Sequence, residues 1–227
     1  LPCKIITYGL EANDSYTAKN ISFNEYACGS YDLYIDGEKF EHIDLNVTGL
    51  HNVSNSLAAI AAARELGISM DNIKSGLLKF KGTDRRFEYK GEVNGITVLD
   101  DYAHHPTEIE ATLTAAKNYP RHKIWCAFQP HTYTRTKALL KDFAKALSLA
   151  DHVVLADIYA AREADTGEIH SRDLQAEIKK LGTEVDYFPS FGEIEKFLLE
   201  NCDHGDLLIT MGAGDIVNVG EDLLKKI

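Results

Sequence analysis

The sequence predicts an α/β protein in which a mostly parallel sheet, covered by helices on both faces, follows a smaller β-rich segment. Three observations carry this prediction. From about residue 96, strand-like and helix-like text alternates to the end of the chain, the rhythm of parallel strands joined by crossover helices. Before Gly49 the text is almost all strand-like, and at Gly49 the period changes. Between these regions Lys81-Gly82-Thr83-Asp84 interrupts the periodic text, which sets a boundary between residues 1–83 and residues 84–227.

In the first segment Lys4–Tyr8, Ile21–Ala27, Tyr31–Ile35 and His42–Val47 alternate or run apolar, with Asp36-Gly37 as a hairpin turn. Asn52 to Glu65 is an Ala-rich helix with an apolar stripe, ended by Gly67, and Met70 to Leu78 is a shorter one. The second segment opens on a hairpin, Phe87–Gly91 and Ile96–Leu99, turning at Asn94-Gly95. Helix Thr107–Asn118 then leads to strand Lys123–Phe128, and helix Thr136–Leu149 to strand His152–Ala156. Helix Arg172–Leu181 leads to strand Glu184–Phe188, helix Gly192–Asn201 to strand Asp206–Thr210, and a last helix runs from about Asp215. The architecture of this second segment is Rossmann-like.

With 227 residues, a hydrophobic fraction of 44% and a charged fraction of 26%, the chain has the size and composition of a soluble protein of one large or two small domains. Its net charge of −11 speaks against a nucleic-acid surface, which needs clustered Lys and Arg. No run reaches membrane-spanning length, and Leu1-Pro2-Cys3-Lys4-Ile5 is no signal peptide. The chain starts abruptly in strand-like text without a methionine and is expected to be a piece of something longer. Cys3, Cys28, Cys126 and Cys202 lie far apart with no CxxC pair, so neither a disulfide frame nor a zinc site is expected. The expected location is the cytoplasm.

The most informative stretch is Asp100-Asp101-Tyr102-Ala103-His104-His105-Pro106-Thr107-Glu108. It sits where a β-branched strand ends and a helix begins, the place where open α/β sheets bind ligands. Helix capping needs one such polar residue; two acids and two histidines point to function. Phe128-Gln129-Pro130-His131-Thr132-Tyr133-Thr134-Arg135-Thr136 ends the next strand of the series, so the two loops are expected to be neighbours. They would gather Asp101, Tyr102, His104, His131 and Arg135 in one crevice, with Arg135 the natural clamp for a carboxylate or phosphate. Ile158 to Glu163 follows the third strand, and either extends this crevice or is a solvated crossover.

Other signals are weaker alone. Asn52 and Asn55 share a face of one helical turn, where two amides either read an adenine edge or cap the helix. Arg85-Arg86 either contacts phosphates or stands solvated. Met211-Gly212-Ala213-Gly214-Asp215 contains a GxG, but after a last strand and without a third glycine. That placement fits a tight strand–helix turn able to approach an anion, and not a dinucleotide fingerprint. No GxxxxGK[ST] phosphate loop occurs.

His51-Asn52-Val53-Ser54-Asn55, Thr83-Asp84-Arg85-Arg86-Phe87, the Asp100–Glu108 turn, the Phe128–Thr136 run and Gly212-Ala213-Gly214, in this order, resemble the Mur ligases. These enzymes add amino acids to the peptidoglycan precursor. The doubled His and the Phe-Gln-Pro-His run are most similar to the branch that acts on UDP-N-acetylmuramate and L-alanine. The resemblance implies that residues 1–83 are the tail of a mixed α/β, P-loop-type ATPase domain and residues 84–227 the ligase domain. It implies ATP and Mg2+ as cofactors, with the P-loop and most magnesium ligands upstream of this chain, and an acyl-phosphate intermediate. By the same resemblance Asn52 and Asn55 would hold adenine, Arg86 the phosphates and Asp101 the ribose. Tyr102, His104, His131 and Arg135 would face the amino acid and the acyl phosphate. Thr132 departs from the Arg found in many relatives, which puts more weight on Arg135. A fragment of this kind is expected to be inactive alone. The alternatives are a murein peptide ligase of cell-wall recycling and a non-catalytic binding module with the same fold.

Overall fold

The computed structural model describes residues 3–11 and 13–226. Leu1 and Pro2, where the chain abruptly begins, lie outside the described residues. The chain divides into two compact units, 1–82 and 83–227.

In the first unit strands β1 (Tyr8–Gly9), β2 (Tyr16–Phe23), β3 (Cys28–Ile35) and β4 (Glu38–Thr48) form one sheet in the order β1-β2-β3-β4. The β1–β2 pair is parallel and the others antiparallel. Helices α1 (Leu50–Glu65) and α2 (Met70–Lys79) close its core, where Val53, Leu57, Ile60 and Ile73 pack on Tyr31, Leu33 and Ile43. Two expectations shift here. Lys4–Thr7 is not a strand, and the second strand is Tyr16–Phe23 where Ile21–Ala27 was expected. The cause is a turn written at Asn24, whose side chain accepts hydrogen bonds from the Tyr26 and Cys28 N–H groups and so ends the strand early.

In the second unit β5 (Glu88–Val93), β6 (Ile96–Asp101), β7 (Ile124–Phe128), β8 (His152–Leu155), β9 (Glu184–Tyr187) and β10 (Leu207–Met211) form a sheet ordered β5-β6-β10-β7-β8-β9. All neighbours are parallel except the β5–β6 hairpin at one edge. Helices α3 (Pro106–Ala116), α5 (Leu140–Leu147) and α6 (Ser171–Lys180) cover one face through a core of Ile109, Leu113, Phe143, Leu147 and Leu174. Helices α7 (Phe191–Asn201) and α8 (Val217–Leu224) cover the other through Ile194, Leu198 and Val219. The strands run continuously apolar because both faces are buried.

The last strand returns to lie between β6 and β7, so the loops after β6 and β7 do not follow adjacent strands, as the sequence had suggested. The helices that follow β7 and β10 lie on opposite faces. Their loops therefore diverge, leaving the crevice at the carboxyl ends that marks ligand sites in open α/β sheets. The expected helix Thr136–Leu149 begins earlier, at Tyr133, and is interrupted at Leu139 between α4 (Tyr133–Ala138) and α5. The N–H of Leu139 still reaches the Arg135 carbonyl and that of Phe143 the Leu139 carbonyl, so the chain kinks there without unwinding.

Phe143 is fully buried against Phe128, with ring centroids 5.8 Å apart. Replacing it with Ala should cost about 3–5 kcal/mol. Denaturant unfolding followed by the fluorescence of Trp125, the single Trp of the chain, measures this directly. A loss below about 1 kcal/mol would contradict the packing described.

Candidate active site

The site is built from the turns after β6, β7, β8 and β10 in the second unit. At its base lies Asp100, fully buried, whose carboxylate accepts hydrogen bonds from Arg85 Nε at 2.8 Å and the Thr210 hydroxyl at 2.7 Å. The same guanidinium donates to the carbonyls of Gly212 (2.8 Å) and Gly214 (3.1 Å). Arg85 therefore ties the Gly212-Ala213-Gly214 turn to β6. The two adjacent arginines divide their work: Arg85 is a structural clamp, whereas Arg86 is exposed, its guanidinium 5.8 Å from the Tyr102 ring.

Asp101 is 4% exposed, with its two oxygens accepting from the N–H groups of Phe87 (2.8 Å) and Ala103 (2.7 Å). Burial raises its pKa, and these bonds oppose the rise. A ribose contact asks for an accessible carboxylate; the present partners of Asp101 are internal, and they fix the path of the turn. Beyond it, Tyr102 meets the edge of His104, with centroids 5.5 Å apart. His104 Nδ1 donates to the Tyr102 carbonyl at 3.0 Å. The His104 N–H is held by Glu108 at 3.0 Å.

His131 sits between His104 (5.9 Å, edge on) and Tyr159 (5.5 Å, stacked). The two histidine-bearing loops thus meet although β10 separates their strands. Of the five buried side-chain nitrogens and oxygens without a partner among the described residues, three belong to this one loop: Gln129 Oε1, His131 Nδ1 and Arg135 Nη1. Buried polar groups are nearly always paired, so three such atoms together make this run the candidate site. Among the described residues no carboxylate comes within 4.0 Å of Arg135, so no ion pair holds it in a structural role. Burial lowers the His131 pKa, and the charges of Arg135 and His104 lower it further, against the pull of Glu163. The ring is accordingly neutral near pH 7. Below its ordinary value of 6.5 the unfolded chain takes up a proton that folded His131 resists. Its contribution to stability is therefore present above that pH and is lost as the pH falls.

Gln129, Tyr159 and Glu163 gather around His131 and α4; the sequence marked the stretches that carry them, leaving Ile158 to Glu163 open between crevice and crossover, but gave none of the three a role. Their one signal was position, since all three follow carboxyl ends of parallel strands. Asn52 and Asn55 lie in the first unit. Asn55 donates to the Asn52 side chain at 3.1 Å, and Asn52 donates to the Thr48 carbonyl at 2.8 Å. The residue capping α1 is Gly49, so Asn52 is not the N-cap. Among the described residues no group of three or more His, Cys, Asp or Glu side chains is arranged to hold a metal ion, and no helix is long and apolar enough to cross a membrane. The four cysteines are free.

A mostly parallel sheet of this order, with its turns gathered at the carboxyl ends of the strands, is a Rossmann-like α/β domain, and comparison with known families says which kind. The Mur ligase glutamate ligase domain matches residues 85–214, and the Mur ligase middle domain matches residues 1–63. The chain belongs to the Mur ligase family. Among its relatives, the UDP-N-acetylmuramate–L-alanine ligase of Lachnospira eligens is 60% identical over 98% of this chain and 49% of that protein. That of Agathobacter rectalis is 58% identical over 100% of this chain and 49% of its own length. The crystal structure of UDP-N-acetylmuramate-alanine ligase from Thermotoga maritima superposes with a TM-score of 0.81 at 30% identity, covering 94% of this chain and 46% of that one. The chain spans about half the length of the curated relatives it matches.

Gly214 is required by close approach. A Cβ there would stand 2.2 Å from Gln129 Oε1 and 2.9 Å from the Tyr159 ring. Gly214→Ala should therefore displace Tyr159 from His131 and lower stability by about 1–3 kcal/mol, the ordinary cost of overpacking. The melting temperature and the ring-current shift of the His131 protons read the two effects. Unchanged values for both would contradict the packing.

Proposed function

We propose that the chain is part of an ATP-dependent ligase that joins L-alanine to UDP-N-acetylmuramate in peptidoglycan synthesis, in the cytoplasm. Residues 1–83 are the end of its central ATP-binding domain, and residues 84–227 its ligase domain. In this reaction ATP converts the muramate carboxylate to an acyl phosphate. The amine of alanine then attacks that carbonyl carbon, forming the amide bond as phosphate leaves and the amine gives up a proton.

The observation that carries the reading is the half-buried Arg135, with Nη1 buried and unpaired, near His131, whose pKa is lowered. A guanidinium fork matches the carboxylate of a free amino acid, and a neutral imidazole adds a donor without repelling the incoming ammonium. His104 and Tyr102 line the approach from the turn after β6, towards the acyl phosphate. For the nucleotide, the family resemblance assigns adenine to Asn55 of the first unit, whose amide is held by Asn52, and the phosphates to the exposed Arg86 of the second. Asp101 contributes to the ribose site through the turn it fixes. No magnesium ligand is assigned to these residues. The reading as the alanine-adding enzyme, and not the recycling peptide ligase, rests on relatives of that name at up to 60% identity. The murein peptide ligase structure from Psychrobacter arcticus shares 27%.

In the complete enzyme Arg135→Ala should lower kcat/KM for L-alanine tenfold to a hundredfold, corresponding to about 1.5–3 kcal/mol for one charge-assisted contact. The KM for ATP should change by less than about twofold, and the melting temperature should hold, because Arg135 supports no ion pair. A large fall in melting temperature with unchanged alanine kinetics would remove Arg135 from the site.

A further inference from the structure

Arg135 has no ion-pair partner to aim it, so its direction must come from the helix that carries it. Helix α4 is short and poorly capped. Its N-cap, Thr132, makes no side-chain capping bond and is held at φ 68°, ψ 142°, a region that β-branched residues avoid. The open first-turn N–H groups are met from outside. Glu163, on the loop after β8, accepts hydrogen bonds from the Thr134 N–H at 2.9 Å and from the Thr134 hydroxyl, and it also bonds the Tyr133 N–H. These bonds hold its carboxyl below the usual carboxylate range, and the charge of Arg135 adds to the effect.

We infer that Glu163 is the positioning residue of Arg135, acting through the first turn of α4 without touching the guanidinium. The inference rests on the reading of Arg135 as the carboxylate-binding group. The loop is well placed for the task. The Thr132 N–H donates to the Tyr159 carbonyl and the Tyr159 N–H to the Pro130 carbonyl, both at 2.8 Å, and Lys137 pairs with Glu168 at 2.9 Å. The Glu163 N–H closes a turn on Ala160 at 3.0 Å, with Ala161 at φ 54° between them. The chemistry explains why the acid stands one step away. A carboxylate paired directly with Arg135 would compete with the carboxylate of the substrate, whereas one capping the helix fixes the side chain's origin and leaves its fork free. The negative charge also moderates the depression of the His131 pKa, linking the loop to both groups of the site.

A double-mutant cycle in the complete enzyme tests this. Glu163→Ala should raise the KM for L-alanine about tenfold while kcat stays within about twofold, the signature of lost positioning of bound substrate. Glu163→Gln, which keeps an acceptor oxygen, should recover most of the affinity, and should lower the His131 titration midpoint because the charge is gone. In an Arg135→Ala background Glu163→Ala should add nothing. An equal rise in KM in both backgrounds, or no rise where Arg135→Ala alone gives one, overturns the role of Glu163. Should the alanine variant fail to fold, Glu163→Asp, too short to reach the Thr134 N–H, takes its place, and an unchanged KM for L-alanine in that variant overturns the role equally. If Arg135→Ala itself leaves alanine KM unchanged, the reading of Arg135 falls first, and this inference falls with it.

Discussion

The clamp made by Arg85 is the interaction on which the rest of the site depends. One guanidinium neutralises the fully buried Asp100 and at the same time holds the carbonyls of Gly212 and Gly214. Removing one partner of such a buried pair leaves an uncompensated charge, which costs about 3–5 kcal/mol. Arg85 also lies on a strained backbone, at φ 59°, with Phe87 close behind at φ 48°. Strain of this kind persists only where the surroundings over-determine it. Here the surroundings are the Asp101 carboxylate on the Phe87 N–H and Tyr102, whose N–H reaches the Arg85 carbonyl at 2.6 Å.

From this clamp the geometry propagates outward by close contact. The turn after β10 is pressed down until Gly212 and Gly214 lie against Gln129 and Tyr159, where a side chain of any kind would collide. Tyr159 in turn stacks on His131, which meets His104 from the turn after β6. Four loops from four strands are thus packed side by side, and the crevice they form contains both a cation without a counter-ion and an imidazole held neutral.

Much of this was legible in the sequence. The alternation of strand and helix gave the parallel sheet, because the β-branched, continuously apolar strands Ile124–Phe128 and Leu207–Met211 can only be buried on both faces. The polar turns at Asp100–Glu108 and Phe128–Thr136 drew attention by their density of ionisable groups, and the structure gives several of these internal work: Asp100 holds Arg85, Asp101 fixes its own turn and Glu108 holds the His104 N–H. Strand order was not legible: nothing in the residues of β10 says that it inserts between β6 and β7, since that is decided by the direction of crossover connections. The division of labour between Arg85 and Arg86 was also hidden, because adjacent residues of one type differ only in which way the backbone turns them. The stretches holding Gln129, Tyr159 and Glu163 were visible, but the individual contacts were not, for a related reason: they join loops distant in sequence.

The account requires that Arg135 and His131 lie close enough, and are buried enough, for each to feel the other. The titration of the His131 imidazole, followed by NMR in the chain and in its Arg135→Ala variant, measures this most directly. The account predicts a midpoint below the ordinary 6.5 in the parent chain, rising when the guanidinium is removed. A midpoint at or above 6.5 that does not respond to Arg135→Ala would contradict it.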